Sequence, residues 1–306
     1  MCSASLSGRI PSSKRQSRPI SIGRTAQPAA DKRYSQGLLQ QSLYFFQKGY
    51  KENKEKMKII RAEYFDRTFY AVLDGEYVLP LKKEPFTFIE YTGECLRRDR
   101  IRLLAPCEPT KIVAVGKNYR EHAAEMNEGF PTEPLLFIKP STCIVGDGDD
   151  VVYPAISRRL DYEGELGVII GKRAHAVQSG HSAEYIFGYT CLNDITARDI
   201  QKSDPQWTRG KGFDTFCPIG PHIETKLNAM HANICTRVNG ELRQNSNTSL
   251  MTHDIDKLIC YITECMTLLP GDIIATGTPV GIGSMQRGDV VEVEIEGIGI
   301  LTNRII

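Results

Sequence analysis

Three carboxylates in two short stretches, Glu163, Glu165 and Asp194, frame the chemistry open to this 306-residue chain. Asp161-Tyr162-Glu163-Gly164-Glu165 leads into the apolar run Leu166-Gly167-Val168-Ile169-Ile170, and Asp194 closes the run Tyr189-Thr190-Cys191-Leu192-Asn193. Acids at i and i+2 of a strand point to one face, about 6.5–7 Å apart along it. Like charges held that close beside an apolar core need a cation between them. Three carboxylates with no convergent Cys or His describe a hard-cation site suited to Mg²⁺ or Mn²⁺, with waters or substrate completing the shell. Taken alone, E-x-E is more often the solvent face of a strand, and Glu292-x-Glu294 is read that way. The Glu163 pair differs because it opens a run apolar on both faces.

Two further clusters carry reactive groups. In Gly116-Lys117-Asn118-Tyr119-Arg120-Glu121-His122-Ala123-Ala124-Glu125, His122 and Glu125 stand at i and i+3 of an expected helix, within hydrogen-bond reach. A carboxylate orienting an imidazole is how a general base is built, although surface His/Glu pairs share the pattern. Lys211 lies between Gly210 and Gly212, where backbone or ligand can approach closely, and suits either a developing oxyanion or a solvated loop. The stretch Ala275-Thr276-Gly277-Thr278-Pro279-Val280-Gly281-Ile282-Gly283 lacks the G-K-[ST] ending of a phosphate loop. Its hydroxyls and backbone N–H groups suit a carboxylate.

The elements that must position these groups are strand-rich. Thr68–Leu73 and Tyr77–Leu79 flank Asp74-Gly75-Glu76, a hairpin signal, and with a strand opening at Met57 they predict a small β unit. A soft boundary near Pro109 precedes the next strand, Lys111–Val115. Leu135–Ile138, Leu166–Ile170 and Tyr189–Leu192 read as buried strands, and residues 290–296 alternate as a half-solvated antiparallel one. Ile255, Leu258, Ile259, Ile262 and Met266 mark an amphipathic helix that Thr252 or Asp254 can cap and Pro270-Gly271 follows. Helices do not alternate regularly with strands, which disfavours a doubly wound sheet.

Composition narrows the class. Apolar residues are 41% and charged residues 25%, and no run approaches the ~20 apolar residues of a membrane span. Nine cysteines with no C-x-x-C pair disfavour a disulfide scaffold or zinc ribbon and fit reduced thiols in a cytoplasmic setting. Residues 1–56 carry 11 Lys/Arg against 3 Asp/Glu, while the remainder carries 27 against 34. A mildly acidic body argues against nucleic acid as a partner. Residues 1–36 hold eight serines and no apolar period, and are expected to be disordered. Segment 1–56 reads as a non-native extension with the start at Met57, as a basic arm, or as a transit peptide that would place the protein in the mitochondrial matrix.

In order along the chain, KIVAVGKNYREHAAE, PLLFIKPST, DYEGELGVIIGK, NDITARDIQ, QWTRGKGFDTFCPIGP, VNGELRQ and GDIIATGTPVGIG make residues 57–306 resemble the fumarylacetoacetate hydrolase family, most closely its bacterial branch labelled 2-hydroxyhepta-2,4-diene-1,7-dioate isomerase. The resemblance implies an α+β mixed β-roll at 110–306 behind a small N-terminal β-rich domain at 57–109, and a homodimer. It implies metal ligation by Glu163, Glu165 and Asp194, and water activation by His122 and Glu125 on a lid segment. Lys211 falls on the family's active-site lysine. Arg198, Gln201, Thr278 and Lys139 fall on substrate contacts, with Thr278 meeting the substrate carboxylate. The implied substrates are small 2-oxo or 1,3-diketo acids and the implied cofactor Mg²⁺ or Mn²⁺. C–C cleavage, by acylpyruvate-type hydrolysis or decarboxylation, is placed ahead of isomerisation or tautomerisation, and a non-catalytic ligand-binding β-roll is the rival class.

Overall fold

The computed structural model describes residues 56–125, 129 and 131–306. The Ser/Arg-rich arm and the stretch Leu38–Tyr50, for which a short helix is expected, lie outside the described residues. Among those described, no helix is long and apolar enough to cross a membrane.

A twelve-stranded mixed sheet forms the frame. Its principal strands are β1 (Lys58–Tyr64), β2 (Arg67–Asp74), β3 (Tyr77–Pro80), β4 (Ile112–Gly116), β5 (Leu135–Lys139), β6 (Gly164–Ile170), β7 (Ile186–Asn193), β8 (Cys217–Glu224) and β11 (Ile273–Ala275). They lie in the order β3-β2-β1-β8-β7-β6-β11-β4-β5, antiparallel except for β11 beside β4. A second, five-stranded sheet contains β9 (Asn233–Val238), β10 (Glu241–Asn247), β12 (Val290–Ile295) and β13 (Gly299–Ile305) in the order β10-β9-β12-β13. The helices are few: α1 (Arg120–Glu125), α2 (Arg198–Ser203), α3 (Thr208–Lys211) and α4 (Ile255–Cys265), besides short 3₁₀ turns. This is the mixed, sheet-rich α+β architecture expected, and no doubly wound sheet forms among the described residues.

Strand β6 is buried at every position, as a run apolar on both faces requires. Leu166, Val168 and Ile170 join Val113 and Val115 against Ile255, Leu258, Ile259 and Ile262 of α4. Ile169 faces the other way, with Ile112, Ala114 and Ile273. Helix α4 is capped by Asp254, whose carboxylate accepts from the Lys257 N–H at 2.8 Å, so the alternative cap Thr252 is not used. In β12, Val291, Val293 and Ile295 are buried while Glu292 and Glu294 remain partly exposed.

At the N-terminal end, Asp74 pairs with Tyr77 across Gly75-Glu76, and Gly75 takes φ +57° as a two-residue hairpin loop demands. Ile60, Ala62, Ala71, Leu73 and Val78 form a core of their own, yet Ile59 and Val72 face the main core. Strand β1 pairs with β2 and also with β8, so the small unit shares the main sheet. Strand β8 itself carries Pro218 and Pro221, residues that argue against a central strand. The register jumps there: Tyr189 faces Glu224 but Cys191 faces Gly220, so Pro221 falls in a bulge that needs no ladder N–H.

His222, on β8, is 5% exposed and its Nε2 has no hydrogen-bond partner among the described residues. Burial, reinforced by Lys58, Arg98 and Lys56, lowers its pKa to about 4 from an ordinary 6.5. A value depressed in the folded state means stability that is complete above the unfolded pKa and is lost as pH falls from there through about 4, roughly 3 kcal/mol in all. His222→Leu is expected to flatten that acid limb of a urea-midpoint-versus-pH curve. An unchanged limb would show that His222 does not carry it.

Candidate active site

Register brings the three acids together. Strands β6 and β7 pair with Gly164 opposite Asn193, and the Asp194 N–H donates to Glu163 O at 2.8 Å just beyond. The Glu163 N–H in turn donates to Asn193 Oδ1 at 3.0 Å. Glu163, Glu165 and Asp194 each offer an oxygen within 4.8 Å of the other two, and all three are at most 4% exposed. Thr196 Oγ1 lies 3.2 Å from Glu163 Oε1 and 3.0 Å from Asp194 O.

Cations from three elements surround this cluster. Lys211, at the end of α3, donates from Nζ to Glu163 Oε2 at 2.8 Å and to Asp194 Oδ2 at 2.6 Å. Its flanking glycines allow the backbone approach expected of them: a Cβ on Gly210 would lie 2.6 Å from Gln201 Cβ on α2. Arg198, the first residue of α2, donates from Nη2 to Glu163 Oε1 and from Nε to Asp161 Oδ2 at 2.9 Å. Arg159 holds the same Asp161 at 2.8 and 3.1 Å. Lys139, at the end of β5, is wholly buried and donates to Asp194 Oδ1 at 2.5 Å and Lys211 O at 2.5 Å. Lys139, expected as a substrate contact, is not among the residues lining the cavity. Its ammonium is spent behind the site, where an unpaired charge would be costly. Although burial opposes its charge, the adjacent Asp194 carboxylate raises its pKa.

The acids are electrostatically unequal. Burial opposes ionisation of Glu163, but Lys211, Arg198 and His122 outweigh it and hold its carboxyl far below the usual range. Burial also acts on Glu165, and there Asp194 and Glu163 add repulsion, so its carboxyl rises well above the ordinary value. Lys211 and the Gly277 N–H, 2.8 Å from Glu165 Oε2, offset this only in part. A shared cation would relieve that repulsion. An all-oxygen donor set without thiol or imidazole fits a hard divalent ion such as Mg²⁺ or Mn²⁺.

His122 reaches the same cavity from α1. Asn118 pins the turn before that helix: its Nδ2 donates to Thr276 O at 2.8 Å and His253 O at 3.0 Å, and its Oδ1 accepts from the His253 N–H at 2.8 Å. His122 Nδ1 lies 3.3 Å from Glu125 Oε2, and the Glu125 carboxylate also accepts from the Gly281 N–H at 3.2 Å. The cavity is lined by His122, Glu163, Glu165, Asp194, Arg198, Gln201, Lys211 and Thr278, with Lys117 beside them. Glu125 stands behind His122, outside the lining. Thr278 Oγ1 donates to Gly164 O at 2.9 Å and accepts from Gln244 Nε2 at 2.8 Å.

Sequence reasoning did not single out the apolar wall of Val115, Phe137 and Trp207. Trp207 meets Phe137 edge-on at 5.2 Å, and a Cβ on Gly116 would lie 2.6 Å from the indole. The uniqueness of Trp207 and the glycine that ends β4, Gly116, were the available signals. Gln244, which holds Thr278, carried no periodic signal, whereas Asp161, which holds Arg198, shares the i, i+2 spacing of Glu163 and Glu165.

A family model described as fumarylacetoacetate (FAA) hydrolase C-terminal matches residues 111–306, and one described as Rv2993c-like, N-terminal matches residues 57–106. Protein Rv2993c of Mycobacterium tuberculosis is 43% identical over 260 residues, covering 82% of this chain and 98% of that protein. The mitochondrial oxaloacetate tautomerase FAHD2B of Bos taurus is 41% identical over 224 residues, 69% of this chain and 71% of its own length. The crystal structure of 2-hydroxyhepta-2,4-diene-1,7-dioate isomerase from Mycobacterium marinum aligns with a TM-score of 0.77 at 41% identity, covering 82% of this chain and 98% of that one.

Two outcomes test this arrangement. Lys139→Met strips the buried Asp194 of a counter-charge and is expected to cost about 3–5 kcal/mol of stability in urea unfolding. A wild-type midpoint would show that Lys139 does not neutralise Asp194. Gly116→Ala drives a methyl into the indole, so the fluorescence of the sole tryptophan should shift, and an unshifted spectrum would contradict the contact.

Proposed function

Because the chain belongs to the fumarylacetoacetate hydrolase family, we propose that it is a divalent-cation-dependent enzyme that moves a proton in small 2-oxo acids, interconverting keto and enol forms or double-bond isomers. The observation that carries this reading is the placement of His122, backed by Glu125, in the lining of the cavity that holds the three carboxylates. Relatives at 41% identity that are named a tautomerase and an isomerase favour proton transfer over bond cleavage.

Held by Glu163, Glu165 and Asp194, Mg²⁺ or Mn²⁺ would supply Lewis acidity that favours an enolate. The protein's own groups do the rest. With Nδ1 turned to Glu125, Nε2 of His122 is the nitrogen left to take a proton from carbon and return it. The Lys211 ammonium adds positive charge where an oxyanion develops. Arg198 and Gln201, one turn apart on α2, hold and orient the acid's carboxylate. Val115, Phe137 and Trp207 give one apolar wall, which limits water at the reacting carbon.

C–C cleavage, first in the reading of the sequence, is retained as the second reading for one reason: the same His122–Glu125 pair serves equally to take a proton from water. An NMR time course with Mg²⁺ separates the two. Oxaloacetate and a 2-hydroxy-2,4-dienedioate are expected to show chelator-sensitive tautomer or double-bond exchange with carbon count unchanged. His122→Ala should slow exchange by about 10²–10⁴-fold. Appearance of pyruvate or a second acid would move the assignment to cleavage, and exchange indifferent to chelator would overturn the metal dependence.

A further inference from the structure

Strand β11 pairs with β6 as far as Ala275 opposite Gly167, the Thr276 N–H still donates to Leu166 O at 3.2 Å, and beyond that residue side chains replace the ladder. The Gly164 N–H donates to Gln244 Oε1 at 3.0 Å. Gln244 Nε2 donates to Thr278 Oγ1 at 2.8 Å and to Pro279 O at 2.9 Å. Thr278 Oγ1 donates to Gly164 O at 2.9 Å, which closes a ring on Gly164. The direction of this ring is determined. A backbone N–H only donates and the Pro279 carbonyl only accepts, so the Gln244 amide has one orientation. The Thr278 proton is therefore committed to Gly164 O. Gln244 is 0% and Thr278 2% exposed, so water is not at hand to replace these partners. Turning the hydroxyl away would leave the buried Gly164 carbonyl unsatisfied. The ring also needs Gly164 to lack a side chain, since a Cβ there would lie 3.2 Å from Gln244 Oε1 and 2.2 Å from Thr236 Oγ1.

Thr278 lines the cavity, and its oxygen has only an acceptor lone pair left to offer. A carboxylate or oxo oxygen can only accept, so it finds no partner in that side chain. An enol hydroxyl donates, and does. We infer that Gln244 is a positioning residue that presents Thr278 Oγ1 as a hydrogen-bond acceptor, and that Thr278 thereby selects a ligand O–H, the enol form of a 2-oxo acid, over a carboxylate oxygen. This departs from the carboxylate contact implied for Thr278 by family resemblance. It rests on the 2-oxo acid reading above and adds to it a residue that separates the two tautomers.

Calorimetric titration of the full chain in Mg²⁺ with pyruvate and with lactate tests the assignment. The two acids share a carboxylate and a carbon skeleton, but only lactate carries an O–H at C2. Thr278→Val is expected to weaken lactate by about fivefold while pyruvate changes by less than about twofold. Thr278→Ser should restore the wild-type ratio. Gln244→Ala, which removes the amide that holds Thr278 Oγ1 in place, should move the lactate-to-pyruvate ratio toward that of Thr278→Val, and it carries the same test if the valine variant fails to fold. Equal weakening of both acids would assign Thr278 to a carboxylate or a water and overturn this inference alone. A wild-type protein that binds neither acid would overturn this inference and the proposed substrate class together.

Discussion

Mutual repulsion among Glu163, Glu165 and Asp194 is the constraint around which this molecule is organised. Their oxygens lie within 4.8 Å of one another in a place nearly closed to water. Charges so placed are held only if counter-charges or a cation meet them at hydrogen-bond distance. The fold brings Lys211 from α3, Arg198 from α2 and Lys139 from the end of β5 to meet them. Glu165 is the member whose carboxyl burial and its like-charged neighbours raise well above the ordinary value.

Delivery depends on a rigid frame. Strand β6 is buried on both faces and flanked by β7 and β11, so Glu163 and Glu165 cannot shift without moving two cores. The turn after β11 then substitutes Thr276, Gly277 and Thr278 for ladder partners. The Thr276 hydroxyl bonds Leu166 O, the Gly277 N–H bonds Glu165, and Thr278 closes the ring with Gln244. Asn118 ties the same turn to the start of α1, so one junction positions both the carboxylates and the imidazole. The carboxylates and the imidazole are thus tied to one turn through the Asn118 side chain.

Much of the local structure was legible in the sequence because periodicity reports which face of an element is buried. The Asp74-Gly75 hairpin, helix α4, the alternation of β12 and the doubly apolar β6 all follow from residues near one another in the chain. The i, i+2 spacing of Glu163 and Glu165 likewise announced a shared face, and the motif order announced the family. Three decisions lay beyond it. Pro218 and Pro221 concealed strand β8, and only the register shift against β7 tells that the missing N–H of Pro221 does no harm. Lys139 carries no local signal of its partner, and only the folded sheet sets its buried ammonium against Asp194. The direction of the Thr278 hydroxyl depends on Gln244, thirty-four residues earlier. Residue types and spacing determine what chemistry is available, because side-chain chemistry and strand period are local properties. Which atom donates, which accepts and which charge is spent inside is decided by long-range packing, because it depends on partners that only the folded sheet brings within reach.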